Sequence, residues 1–326
     1  GFASNVFADG LERARWLAVA PNGDVFATQA GSGKVWLLRD TDGDGRAETK
    51  QVFADGFERP HGMAVRPGFL YVADVRGLWR LAYEPGQTEA NGKPQRITPE
   101  GAFGSPGGSH WTRNIAFSPD GKHVYVAIGS RGNVEEEAAP RATVQEFATD
   151  GGGQRTFAAG LRNPVGIAFY PGTNDLYVVV NERDGLGDGL VPDYLTKLQR
   201  DGFYGWPYSY IGAHPQPKLA DKRPDLVAKA IVPDTLFRSH SAPLASSSTT
   251  AISFRRSTGA TPSWRCTAPG TPPSPRVTRW CACRSRTRSR PIITRSSPPA
   301  SGSAARTRPW SGGARWGWRW PRTAAS

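Results

Sequence analysis

The sequence predicts an all-β protein, a six-bladed β-propeller of which four to five blades are legible. Three observations predict it. Short apolar triplets recur as Leu17-Ala18-Val19, Met63-Ala64-Val65, Ile115-Ala116-Phe117 and Ile167-Ala168-Phe169, spaced by 46, 52 and 52 residues. Three of them follow a similar approach: Phe-Ala-Asp-Gly-Leu-Glu-Arg at 7–13, Phe-Ala-Asp-Gly-Phe-Glu-Arg at 53–59 and Phe-Ala-Ala-Gly-Leu-Arg-Asn at 157–163. Each triplet then meets a turn rich in Pro, Gly, Asn or Asp and a second short apolar run. Runs of β-favouring residues between such turns read as strands, and a period near 50 with about four strands per unit reads as a propeller blade.

Taken in order, the first repeat places Pro21-Asn22-Gly23-Asp24 between Leu17-Ala18-Val19 and Val25-Phe26-Ala27. The second opens at Phe53 and turns after Met63-Ala64-Val65. The third is led by Gly107-Gly108-Ser109-His110-Trp111-Thr112-Arg113-Asn114 and turns at Pro119-Asp120-Gly121 before Val124-Tyr125-Val126. The fourth runs from Phe157 through Ile167-Ala168-Phe169, and a fifth is expected to begin near Ser239–Leu244. A propeller hides its edge strands by closing its ring.

Composition divides the chain after Leu244. Residues 245–326 hold no Asp, Glu or Lys, but 15 of the Arg, all three Cys and six of the eleven Trp. The domain reading is therefore a propeller over 1–244 and a non-native tail rich in Arg, Ser, Pro and Trp over 245–326. A reading-frame slip in a GC-rich gene explains the tail, because a two-base shift restores strand-like text at three separate places; a basic RNA-binding arm is the competing reading. The tail also carries the net charge of +13. Without it, 26 basic residues face 28 acidic ones, so the first 244 residues are mildly acidic and no nucleic-acid partner is expected. They contain no cysteine, which excludes disulfides and thiolate metal sites. No run of 18 apolar residues occurs, so no transmembrane segment is expected. The chain opens with Gly1-Phe2 and holds one methionine, Met63, which reads as an initiator and export signal already removed.

Polar residues leading the inner strands of different blades converge on the central channel, where propellers bind ligands. His110 leads the third repeat, Arg162-Asn163 the fourth and His61 the second. A histidine there can act as a base near neutral pH. The segments Ser-His-Trp-Thr-Arg-Asn-Ile-Ala-Phe-Ser-Pro-Asp-Gly (109–121), Gly-Leu-Arg-Asn-Pro-Val-Gly-Ile-Ala-Phe (160–169), Val-Asn-Glu-Arg-Asp-Gly-Leu-Gly-Asp (180–188) and Gly-Phe-Tyr-Gly-Trp-Pro (202–207) resemble the glucose/sorbosone dehydrogenases. These are six-bladed propellers that use pyrroloquinoline quinone (PQQ) and calcium.

The resemblance implies oxidation of a sugar or sugar aldehyde, electron transfer to an external acceptor, and a periplasmic or secreted location. It implies His110 as the base that takes the substrate hydroxyl proton. Arg162 and Asn163, with Arg113 and His61, match cofactor contacts; a guanidinium suits the three carboxylates of PQQ. The loop Asn181–Tyr194 matches the segment near the calcium, with Glu182, Asp184, Asp188 and Asp193 as oxygen ligands. One departure is Ser130, which stands about where the family has an Asp steering the catalytic histidine. Two further readings are a calcium-dependent lactonase and a non-catalytic ligand-binding propeller. A second acidic loop, Asp40 to Glu48, reads equally as a surface turn or a weak calcium site, and Phe203-Tyr204-Gly205-Trp206-Pro207 reads as packing.

Overall fold

A computed structural model describes residues 4–246 and two short paired segments, Ser248–Thr249 and Arg279–Trp280. The chain divides into two compact units, Gly1–Arg290 and Pro291–Ser326; the second lies outside the described residues. Most of the expected tail, 245–326, and any blade built from it also lie outside them.

The first unit carries four blades of a β-propeller. Blade 1 is β1 (Ala14–Val19), β2 (Val25–Gln29), β3 (Lys34–Arg39) and β4 (Thr49–Ala54), hydrogen-bonded in that order. Blade 2 is β5 (Met63–Arg66), β6 (Phe69–Ala73), β7 (Leu78–Ala82) and β8 (Gln95–Arg96). Blade 3 is β9 (Arg113–Phe117), β10 (His123–Ile128), β11 (Thr143–Ala148) and β12 (Arg155–Ala159). Blade 4 begins with β13 (Asn163–Phe169), β14 (Leu176–Asn181) and β15 (Tyr194–Lys197). The four apolar triplets fall on β1, β5, β9 and β13, and these inner strands neighbour one another in blade order.

Two later segments complete the edges. β16 (Gly202–Phe203) returns to blade 3 and pairs parallel with β12, making that sheet five-stranded. A small hairpin, β17 (Ser209–Tyr210) and β18 (His214–Pro215), and a short helix, α1 (Pro224–Lys229), precede β19 (Thr235–Leu236), the outer strand of blade 4. Tyr204 and Trp206 are buried, as a packing role requires. Ser239–Leu244 forms no strand of a fifth blade. It lies against blade 4 instead, where Asn181 donates to the Pro243 carbonyl at 2.8 Å and the Ala242 amide to Asp193 at 2.7 Å.

The core sits between blades, and period-2 alternation explains how. On β6, Leu70 and Val72 join Phe26, Val35 and Leu37 of blade 1. Their neighbours Tyr71 and Ala73 point the other way and join Ile115, Val124 and Val126 of blade 3. β10 repeats the pattern: Val124, Val126 and Ile128 face blade 2, while Tyr125 and Ala127 join Ile167, Leu176 and Val178 of blade 4. Each middle strand thus serves two cores, which is why it reads as a continuous apolar run. Blade 1 differs, since Leu17 and Val19 of β1 are 60% and 67% exposed.

Candidate active site at the central shaft

Close backbone approach brings the leading segments together. The Gly62 amide donates to the Arg113 carbonyl at 2.8 Å, tying blade 2 to blade 3. A Cβ at Gly62 would lie 2.6 Å from that oxygen, so only glycine fits. The Ser130 amide donates to the Arg162 carbonyl at 2.7 Å, tying blade 3 to blade 4. Gly129 beside it is equally constrained, with His110 Cβ at 2.6 Å from the position a Cβ would take.

His110 is half-buried at this junction. Its Nδ1 lies 3.1 Å from the Ser130 carbonyl and 2.9 Å from the Ser130 hydroxyl. A carbonyl only accepts, and the Ser130 hydroxyl spends its own proton on the Gly132 carbonyl at 2.7 Å. Nδ1 therefore carries the ring proton, and Nε2 keeps its lone pair with no hydrogen bond. Burial, then the Arg162 charge, pushes the His110 pKa down to about 4, so the ring is neutral at pH 7. Ser130, which the sequence sets about where the resembled family has its steering Asp, is thus the partner of His110 Nδ1.

His61 is 2% exposed, with its ring against Trp16 at 5.4 Å and edge-on to Trp111 at 5.9 Å. Burial, then Arg15, holds its pKa down at about 3, and its Nδ1 has no partner. It is a neutral ring in an aromatic wall. Arg113 is 1% exposed and donates to the His110 and Thr112 carbonyls, while its Nε is unpaired. Burial and the neighbouring Arg141 lower its pKa to about 9.

Arg162 is used up by the protein. Its five N–H groups reach the Asn133 carbonyl and side-chain oxygen, the Asn181 and Glu182 carbonyls, and Asp184. Asn163 donates to Asn181 at 3.3 Å and leaves its own oxygen unpaired. Buried polar atoms without partners at these leading segments are His61 Nδ1, Thr112 Oγ1, Arg113 Nε, Asn114 Nδ2 and Asn163 Oδ1. Orphans of this kind are costly unless a ligand meets them. Cations also outweigh anions around both histidines. The donors among the orphans, Arg113 Nε and Asn114 Nδ2, together with this surplus of cations, fit an anionic group.

These residues sit on a fold shared with solved structures. The PQQ domain of pyranose dehydrogenase from Coprinopsis cinerea, in its holo form, superposes with a TM-score of 0.61 at 20% identity, over 74% of this chain and 69% of that one. A calcium structure of a family AA12 carbohydrate-active enzyme from Trichoderma reesei gives 0.61 at 17% identity, over 74% and 71%. The PQQ-bound aldose sugar dehydrogenase of Streptomyces coelicolor gives 0.56 at 18%, over 74% and 73%. An uncharacterized protein of Borreliella burgdorferi is 30% identical over 102 residues, 31% of this chain, which spans 27% of that relative's length. Residues 1–191, more than half of the chain, match the model of the TrAA12-like family. The chain belongs to the TrAA12-like family.

In this TrAA12-like chain the four carboxylates expected around calcium do not gather. Asp193 accepts from the Glu182 and Ala242 amides, and Asp184 is shared between Arg162 and His240. Glu182 is buried, which raises its pKa to about 7, and Asp188 is exposed. Among the described residues, the acidic group whose ligand atoms lie within 4.8 Å of one another is Asp40, Asp42, Asp44 and Glu48, on the turn between β3 and β4. Asp40 and Glu48 there already accept backbone amides of their own loop, as in a surface turn. Among the described residues, no helix is long and apolar enough to cross a membrane.

Sequence reading gave no role to Trp111, Arg15 or Arg59, whose guanidiniums lie over the Trp111 ring at 5.2 and 5.4 Å. Aligning the repeats signals them: Arg15, His61 and Arg113 share one position, and Arg13, Arg59 and Trp111 another.

Proposed function

We propose that this chain is the propeller portion of a PQQ-dependent sugar dehydrogenase that oxidises an aldose or a sugar aldehyde of the sorbosone type. The observation that carries the reading is the fixed tautomer of His110, whose Nε2 makes no hydrogen bond among the described residues, at the place where the leading segments of blades 2 to 4 hold unpaired polar atoms. The similar structures, a pyranose dehydrogenase PQQ domain and an aldose sugar dehydrogenase, support the same chemistry.

His110 Nε2 accepts the proton of the substrate hydroxyl, or of a hydrated aldehyde, as the carbon gives up its hydride. PQQ, when bound, supplies the carbonyl that receives this hydride, and the two electrons then leave to an external acceptor. Ser130 keeps the imidazole oriented without a carboxylate. The cationic surroundings favour a tricarboxylate, and its charge would in turn lift the His110 pKa from about 4 toward the range where a general base works best. Arg113 Nε and Asn114 Nδ2 offer unpaired donors to the same ligand. A periplasmic or secreted location accords with this reading.

Reconstitution tests it. Adding PQQ, with and without calcium, should give quinone absorbance and sugar-dependent dye reduction. His110→Ala should lower the rate about 10²- to 10⁴-fold, the usual worth of a positioned base. No dye reduction with the native protein, or an unchanged rate in His110→Ala, overturns the assignment.

A further inference from the structure

We propose that Arg15 and Arg59, each stacked on Trp111, form a clamp for a carboxylate beside the leading segments of blades 1 to 3. The inference rests on the dehydrogenase reading for the identity of its ligand, but its geometry stands apart. Three blades contribute: Arg15 begins blade 1, Arg59 leads blade 2 and Trp111 leads blade 3, directly after His110. The two guanidinium carbons lie 5.2 and 5.4 Å from the centre of the same indole. The indole itself is braced from the protein side by the buried His61 ring.

Both arginines are exposed, and neither makes a hydrogen bond or an ion pair among the described residues. By contrast, Arg39 is paired with Asp24 and Arg162 with Asp184. Two like charges sharing one ring repel, and the cation–π attraction offsets this only in part. Arg59 is also held at φ +52, a left-handed conformation that non-glycine residues adopt at a cost. A bound anion offsets this positive charge, and a carboxylate matches guanidinium geometry with two parallel hydrogen bonds. Two ligands present such a group here. One is PQQ, and the other is an acid sugar such as a uronate.

Calorimetric titration of the full chain separates the sources without turnover. PQQ, glucuronate and glucose are each titrated into the native protein, the double variant Arg15→Gln/Arg59→Gln, and Arg66→Gln. Arg66 makes a similar stack on Phe117, at 5.3 Å, at the far end of β5, and serves as the control. The double variant should weaken one carboxylate ligand at least tenfold while glucose and the control stay within twofold. Weakened PQQ assigns the clamp to the quinone; weakened glucuronate assigns it to the substrate. Arg15→Lys/Arg59→Lys, which keeps the charge and loses the fork, should fall between native and double variant. If the native protein binds glucuronate through these arginines but no PQQ, the dehydrogenase reading fails and the clamp stands. If neither ligand responds to the double variant, or the native protein binds neither, the clamp is overturned.

Discussion

Arg113 and Arg162 stand at the same end of neighbouring inner strands, both buried, and the two sides of the shaft treat them in opposite ways. Arg162, on the blade 4 side, gives every N–H to protein oxygens and faces Asp184. Arg113, on the blade 3 side, reaches two carbonyls and keeps an unpaired Nε without an ion-pair partner. On the blade 4 side Arg162 is thus part of a finished network, with only the Asn163 oxygen beside it left unpaired among the described residues. The sides of blades 2 and 3, with His61, Asn114 and the Arg15–Trp111–Arg59 stack, hold polarity that the protein does not consume. Unspent hydrogen-bonding capacity, more than residue type, marks where a ligand belongs.

A matched pair of substitutions breaks or sharpens this contrast most strongly. Arg162→Met should lower the stability of the ligand-free protein by about 3 kcal/mol or more, because Asn133, the Glu182 carbonyl and Asp184 lose their shared donor. Arg113→Met should change it by no more than about 1 kcal/mol, since an uncompensated buried charge leaves with the two hydrogen bonds. Urea midpoints decide, and equal losses at the two sites would erase the distinction.

A smaller effect is expected at the steering serine. Ser130→Ala removes one acceptor of the His110 Nδ1 proton and keeps the carbonyl, so the reconstituted kcat should fall about three- to tenfold, the worth of one hydrogen bond, with KM little changed. A merely structural serine would leave kcat alone.

A further effect, graded with pH, is on acid stability. His61 has a folded pKa near 3 against about 6.5 unfolded, so the unfolded chain takes the proton first. Its stabilising share is complete above about pH 6.5 and declines as the pH falls toward 3. His110, near 4, acts in the same direction. Glu182, raised to about 7, acts in the opposite one, losing stability as the pH rises from about 4.5 to 7. His61→Phe should therefore flatten the decline in urea midpoint between pH 6.5 and 4, and an unchanged slope would place His61 in solvent.

Much of this was legible in the sequence. The triplet spacing located all four inner strands, because each must be apolar on a fixed beat to pack against its neighbours. His110 and Ser130 were legible because one strand hairpin joins them, β9 to β10. How the loop folds was not: of the carboxylates expected around calcium, Glu182, Asp184, Asp188 and Asp193, close in sequence, Asp193 accepts the Glu182 amide and Asp184 meets His240. The stack on Trp111 was invisible along one stretch of chain because its members lie in three repeats. Extra residues were hidden as well, for β1 and β13 each carry a bulge just before the apolar triplet, after Ala14 and after Pro164.

The alternation on the middle strands has a consequence for how such a protein can change. Inserting a single residue into β6 would exchange Leu70 and Val72 with Tyr71 and Ala73, spoiling the seams toward blade 1 and blade 3 in one step. Length variation is therefore confined to the turns, where repeats of 46 and 52 residues already differ. The sheets keep time, and the loops are free to diversify around a chemistry that stays put.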